Sequence, residues 1–393
     1  MTDQTTSRTP RARRRDDLAL AARMREMLFA QLVSRCLCAV TQLAVPDLLA
    51  HGPLSADELA TRTGAHPAAL RRLMRALVMF EVFAEPAPDV FALTPLGATL
   101  RWDAPASARP SALLVGDVVG TTWNELTRAV RTGRPAFREA FGTSFFDYLE
   151  QRPEVRGIFA SSQAEGLALE IDEILAHAWF PERGLIVDVG GGDGAFLTRV
   201  LDAHPLASGI VFDLPATAAL AARRVAERGL GDRCVARSGD FFTAVPTGGN
   251  LYLLSHVLHD WSDADALRLL RVCVAAMPDH ATLLVIDLVT AERGESDPGY
   301  RYAALLDLYM LSLFGGDGGR ERTRGEFVSL LRAAGLVDVQ VRRLPSGMGV
   351  ITARPGRTGA GGADATAGVR PGATDNGHPG PASARPDHGA DRS

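Results

Sequence analysis

Four cysteines in 393 residues, Cys36, Cys38, Cys234 and Cys273, are scattered, and no histidine cluster stands beside the one Cys-x-Cys pair. A disulfide framework and a structural zinc site are therefore not expected, and a reduced, cytoplasmic protein is. No apolar run reaches the length of about 18 residues that a membrane span needs. Met1 to Arg15 is polar and basic, without the apolar core of a secretion signal. Neither sign of charge dominates: the net charge is -4 and the pI is near 6.2, so no global basic field invites nucleic acid or an anionic membrane.

What the chain has is apolar residues, 46% of the total, enough for two ordinary domains with sizeable cores. Residues 1–16 carry Arg8, Arg11 and Arg13 to Arg15 among Thr, Ser and Pro, which reads as a flexible basic arm. Residues 356–393 are Gly, Ala, Pro, Asp, Arg and Thr with almost no large apolar residue, and read as a disordered tail without part in catalysis.

Residues 17–180 have mostly helical spacing. Leu18, Leu20, Met24, Leu28, Leu32, Val33, Leu37 and Val40 form one long apolar face that wants a partner. Ser55 offers an N-cap before Asp57, Glu58 and Leu59, and a second helix starts at Pro67 with Leu70, Leu73, Met74, Leu77 and Val78 on one side. Val82-Phe83-Ala84 and Val90-Phe91-Ala92-Leu93, joined by a Pro-rich turn, make a short hairpin, so the arrangement is a winged helix. Arg71, Arg72 and Arg75 on the second helix leave a DNA-binding reading open beside a solvated face on a dimerisation domain.

Residues 181–355 alternate strands and helices, with strands at 185–190, 209–214, 234–239, 251–257, 282–288, 337–344 and 348–353, which specifies an α/β fold with a mainly parallel sheet. Only Pro345-Ser346-Gly347 joins the last two strands, too short for a crossover helix, so they pair antiparallel. A terminal hairpin is unlike the second half of a dinucleotide-binding domain and favours the Rossmann-like methyltransferase sheet. Leu185-Ile-Val-Asp-Val-Gly-Gly-Gly-Asp-Gly-Ala-Phe-Leu197 is a strand, glycine turn and helix that lets backbone approach a nucleotide-like ligand. By itself this turn, with Gly190 and Gly192, does not separate S-adenosylmethionine from NAD. Ligands of open α/β sheets sit beyond the carboxyl ends of the strands, where Asp213 suits ribose hydroxyls, Asp240 and Phe241 suit an adenine, and Ser255 ends the fourth strand. Together they point to an adenosyl ligand.

Five ordered segments carry a family likeness: Val187-Asp-Val-Gly-Gly-Gly-Asp-Gly194, Phe212-Asp-Leu-Pro215, Gly239-Asp-Phe-Phe242, His259-Asp-Trp-Ser-Asp263 and Gly318-Gly-Arg-Glu-Arg-Thr323. From about Leu18 to Ala353 the chain resembles the class I S-adenosylmethionine-dependent O-methyltransferases of the plant caffeate and flavonoid type and their bacterial natural-product relatives. The resemblance implies a homodimer, a phenolic acceptor and His259 as general base. The chemistry agrees, since a phenol of pKa about 10 needs its proton taken and an imidazole of pKa about 6.5 can take it, with no metal required. Glu321 matches one of two glutamates that flank the base in the plant-type relatives, and Asp287, one methylene shorter, holds the place of the other. By the same resemblance Arg156 approaches the methionine carboxylate, and Asp260 and the helix carrying Tyr309 and Met310 face the acceptor. His256 is expected to pack, and the glycines at 315–319 to form a gate over the acceptor. Two alternatives remain: a relative that binds the cofactor but decarboxylates or hydroxylates, and a ligand-sensing winged-helix regulator.

Overall fold

The computed structural model describes residues 10–105, 107–315 and 318–356; the tail expected beyond Gly356, the first nine residues and Gly316 and Asp317 of the glycine loop lie outside them. The first helix, Pro10–Gln42, starts inside the segment expected to be a flexible arm. Proline at a first helical position forgoes a hydrogen bond that position never makes, and the Arg and Ala that follow are good helix formers. Only the C-terminal end of its apolar face is covered, by the packing of Val40 near Leu59, Leu70 and Met74. Leu18, Leu20, Met24, Leu28 and Leu32 stay 48% to 65% exposed.

The winged helix forms as its signals specify. Ser55 and Glu58 close a capping box on the helix Ala56–Thr63, and Pro67 opens the helix Pro67–Val78. Strands β1 (Leu54–Ser55), β2 (Phe83–Ala87) and β3 (Val90–Leu93) make a small antiparallel sheet in the order β1-β3-β2. Arg71 pairs with Asp89 at 2.9 Å and Asp57 at 3.5 Å, and Arg75 with Glu85 and Asp89, both at 3.2 Å. Two of the three arginines behind the DNA-binding alternative thus face carboxylates of their own domain. Among the described residues no single helix is long and apolar enough to cross a membrane.

Helices from Arg109 onward lead into the 25-residue helix Pro153–His177, which delivers the chain to the main sheet. Its strands are β4 (Arg183–Val189), β5 (Leu206–Asp213), β6 (Cys234–Ser238), β7 (Leu251–Ser255), β8 (Thr282–Thr290), β9 (Arg322–Thr323), β10 (Leu336–Arg343) and β11 (Met348–Pro355). The order is β10-β11-β8-β7-β4-β5-β6, parallel from β8 to β6, with the hairpin β10–β11 antiparallel as its short turn requires. Helices cover both faces, so β7 and β8 are near-continuous apolar runs from Leu251 to Leu254 and Leu283 to Val289, interrupted by Asp287. Strand order reverses at β4, whose neighbours are β5 and β7, and the crevice beyond their carboxyl ends is where such a sheet binds its ligand. The short β9 extends the carboxyl end of β8, Val289 facing Arg322, and so brings the Gly318–Thr323 segment to the same edge.

Candidate active site

At the end of β4 the chain turns through Gly190, Gly192 and Gly194 with φ of 71°, 59° and 79°, left-handed values that glycine adopts without strain. The helix Ala195–Ala203 begins there, its first N–H, that of Ala195, donating to Asp193 at 3.0 Å. Asp213, at the end of β5, accepts from the Gly192 N–H at 2.9 Å and the Leu214 N–H at 2.7 Å, which fixes the turn against the next strand. The Asp240 carboxylate accepts from the Phe242 N–H at 2.8 Å and the Thr243 hydroxyl at 3.1 Å, and so shapes its own turn. Phe241 stands edge-on to Trp261, ring centres 5.8 Å apart, and reaches the crevice beside Gly190.

Two polar groups of this cradle lack partners. The Ser255 hydroxyl is buried at the end of β7 without a hydrogen bond, and both oxygens of Asp188, 1% exposed, are likewise unpaired. Burial, with the Asp213 charge adding to it, pushes the Asp188 carboxyl up to about 8. Buried polar atoms are rarely left unpaired, so the cradle suits a ligand that brings polar groups of its own. Asp188 escaped the sequence reading as a site residue, although an acid in an otherwise apolar buried strand was a visible signal. Arg156 is exposed near the start of Pro153–His177, and no described hydrogen bond or ion pair joins it to the glycine turn.

His259 lies in the one-turn helix Leu258–Asp260 that follows β7. Its Nδ1 is 3.2 Å from Glu321 Oε1, a hydrogen bond, and 3.8 Å from Asp287 Oδ1, which is not one; Nε2 is 3.6 Å from Asp260 Oδ1. The missing methylene of Asp287 thus leaves a charge contact where a glutamate could reach further. Burial opposes charge on His259, but Asp287, Glu321 and Asp260 outweigh it and raise the imidazole to about 10. Burial pushes Asp287 itself up to about 6, against the pull of His259. Glu321 donates its backbone N–H to Asp307 at 3.0 Å, which ties it to the helix Arg301–Leu313.

Arg322, unremarked in the sequence beyond its place in a motif, is a buried clamp on the turn that carries His259. Its guanidinium donates to the Leu258 carbonyl at 2.6 Å, the Trp261 carbonyl at 2.8 Å and Asp263 at 3.0 Å. Gly319 presses on the same turn, because a Cβ there would lie 1.8 Å from the His259 carbonyl oxygen. His256 does more than pack: it sits at φ 54°, with Nε2 3.0 Å from Glu170 and its ring centre 5.6 Å from that of His259. On the helix Arg301–Leu313 Met310 is buried, and Tyr309, whose phenol burial pushes up, joins Phe137, Phe145, Tyr148 and Phe314 in an aromatic cluster.

Residues 123–337 match the family described as the O-methyltransferase domain, and residues 25–101 the O-methyltransferase dimerisation domain. The chain belongs to the O-methyltransferase family. It is 52% identical to the O-methyltransferase SfmM3 of Streptomyces lavendulae over 84% of this chain and 99% of that one. The solved structure of LaPhzM, 38% identical, superposes with a TM-score of 0.76 over 86% of this chain and 99% of the other. NcsB1, an O-methyltransferase from neocarzinostatin biosynthesis solved with S-adenosylmethionine and 2-hydroxy-5-methyl naphthoic acid, is 33% identical with a TM-score of 0.68, over 82% of this chain and 96% of that one. The enzyme is thus an S-adenosylmethionine-dependent methyltransferase with a Rossmann-like sheet behind a dimerisation domain.

Proposed function

We propose that the enzyme transfers a methyl group to a phenolic hydroxyl of a small aromatic metabolite, with His259 as general base. The observation that carries the reading is the His259–Glu321 hydrogen bond at 3.2 Å, which in the neutral imidazole puts the proton on Nδ1 and the lone pair on Nε2. S-adenosylmethionine, when bound, supplies a methyl group on a sulfonium that already carries its leaving group. Gly190, Gly192 and Asp213 would hold its ribose end, Asp240 and Phe241 its adenine, and Ser255 and Arg156 its remaining polar groups. The orphaned Ser255 hydroxyl and the glycine cradle fit that assignment.

At Nε2 the imidazole takes the phenol proton as the oxygen attacks. The surrounding carboxylates raise His259 to about 10, close to a phenol, so the transfer is nearly even in energy. Glu321 holds the ring, and both it and Asp287 stabilise its protonated form. Asp260 contacts the acceptor, and Tyr309 and Met310 flank its ring. The acceptor class follows from the aromatic cluster and from the naphthoic acid bound by NcsB1. The exposed apolar face of Pro10–Gln42 supports a homodimer, residues 17–180 forming the dimerisation domain and 181–355 the catalytic one. The four cysteines are all free, in keeping with the reducing cytoplasm.

Calorimetric titration with S-adenosylhomocysteine, with NADH alongside, tests the cofactor assignment without an acceptor. The expected result is binding of the former alone, weakened at least tenfold by Asp213→Ala. Mass spectrometry across a phenol panel then follows methyl transfer, which His259→Ala should abolish and Arg71→Ala should not. Transfer that survives His259→Ala refutes the base.

A further inference from the structure

His256, His259 and Asp287 each offer one donor atom, and the three atoms lie within 4.8 Å of one another. The His259 Nδ1 to Asp287 Oδ1 separation of 3.8 Å suits two ligands that each stand about 2.0 to 2.2 Å from a shared ion. Asp287 adds an independent observation: it is fully buried and neither carboxylate oxygen has a hydrogen-bond partner. A buried carboxylate without a hydrogen bond is costly, and the charge contact with His259 at 3.8 Å leaves both oxygens free to accept an ion placed between the two groups. Glu170 accepts from His256 Nε2 at 3.0 Å, which leaves the lone pair on Nδ1. A carboxylate that orients a histidine in this way is the usual outer partner of a metal-binding imidazole. His256 also holds a left-handed φ of 54°, a strained state for a residue with a side chain.

We propose that His256, His259 and Asp287 bind a divalent transition-metal ion, zinc or cobalt(II), in the enzyme without acceptor, and that the ion switches the base off. Two imidazoles and one carboxylate select such ions over magnesium or calcium, which prefer all-oxygen sets. The switch follows from the tautomer. An ion on His259 Nδ1 takes the position of the proton given to Glu321, so the remaining ring proton must sit on Nε2, where the lone pair is needed. The ion therefore inhibits and is no cofactor of methyl transfer. The inhibition rests on the reading of His259 as base, whereas the binding does not.

Titration of the full-length enzyme with cobalt(II) chloride, followed by ligand-field absorption, tests the binding directly. Saturable uptake of one equivalent, displaced by zinc and not by magnesium, is expected. His256→Gln should weaken it at least tenfold and Glu170→Gln about 10- to 100-fold, with S-adenosylhomocysteine binding unchanged in both as proof of an intact cradle. One equivalent of zinc should suppress methyl transfer in the wild type, reversed by a chelator, and leave transfer by His256→Gln unimpaired. No saturable cobalt spectrum, or equal affinity in wild type and His256→Gln, overturns the site. Zinc bound with transfer undiminished overturns the switch. The base assignment is judged separately by His259→Ala, so the two failures are distinguishable.

Discussion

Glu321→Gln puts the electrostatics of the base to its sharpest test. His259 is raised to about 10 in the folded enzyme, so it is protonated at neutral pH and becomes a base only as pH rises. The rate constant kcat/KM should therefore climb with pH on an acidic limb that reports this group. The glutamine keeps an oxygen within reach of Nδ1 but removes one negative charge at 3.2 Å. Two unit charges about 4 Å apart interact by about 4 kcal/mol at an effective dielectric constant of about 20. At about 1.4 kcal/mol per pKa unit that bounds the shift near 3 units. The retained hydrogen bond and the remaining Asp287 reduce it, so the limb should move down by about 1 to 3 units. The plateau should fall as well, because the imidazolium formed on proton transfer loses its partner. The assay is initial methyl transfer from about pH 6 to about pH 10 at saturating cofactor. Imidazole NMR of the acceptor-free protein, with His259→Gln to assign the signal, reads the same group without turnover. An NMR midpoint and a kinetic limb both unmoved by Glu321→Gln would refute the account.

Three further outcomes follow from the geometry. Arg322→Met should destabilise the fold by about 2 to 4 kcal/mol in urea unfolding, because the Leu258 and Trp261 carbonyls lose their donor, and should lower kcat more than it weakens S-adenosylhomocysteine binding. Gly319→Ala would drive a methyl group into the His259 carbonyl, so kcat should fall at least tenfold while calorimetric binding of S-adenosylhomocysteine persists. Asp188 is raised to about 8 from an unfolded value near 3.8, so its contribution to stability is complete below about pH 4 and is lost as pH rises through about 8. Asp188→Asn should flatten that decline of Tm between about pH 4 and about pH 8 in the ligand-free enzyme, and a Tm profile parallel to the wild type would refute the buried neutral acid.

Local signals in the sequence were enough for the elements and for the glycine turn. Glycine at 190 and 192 reads as a turn because few other residues tolerate those backbone angles, and Ser55 and Pro67 announce helix starts through groups within a few residues. The four residues between β10 and β11 allow nothing but a hairpin, and the order of motifs along the strands fixes which residues meet at the carboxyl edge. The helix start at Pro10 was missed because low apolar content there resembles an unfolded arm, although helix propensity needs no core.

What depends on distance across the chain had to wait for the tertiary structure. His256 and Glu170, Arg322 and the carbonyls of Leu258 and Trp261, and Asp307 and the backbone of Glu321 are far apart in sequence, and no local pattern encodes their contact. The sequence by itself determined the fold class and the cofactor turn, because those are properties of residue type and spacing, and it nominated His259 as base through a family resemblance. Only the packing of β8, β9 and the turn after β7 decided that Glu321 bonds His259 while Asp287 stops at 3.8 Å, since side-chain reach is set by where the backbones come to rest.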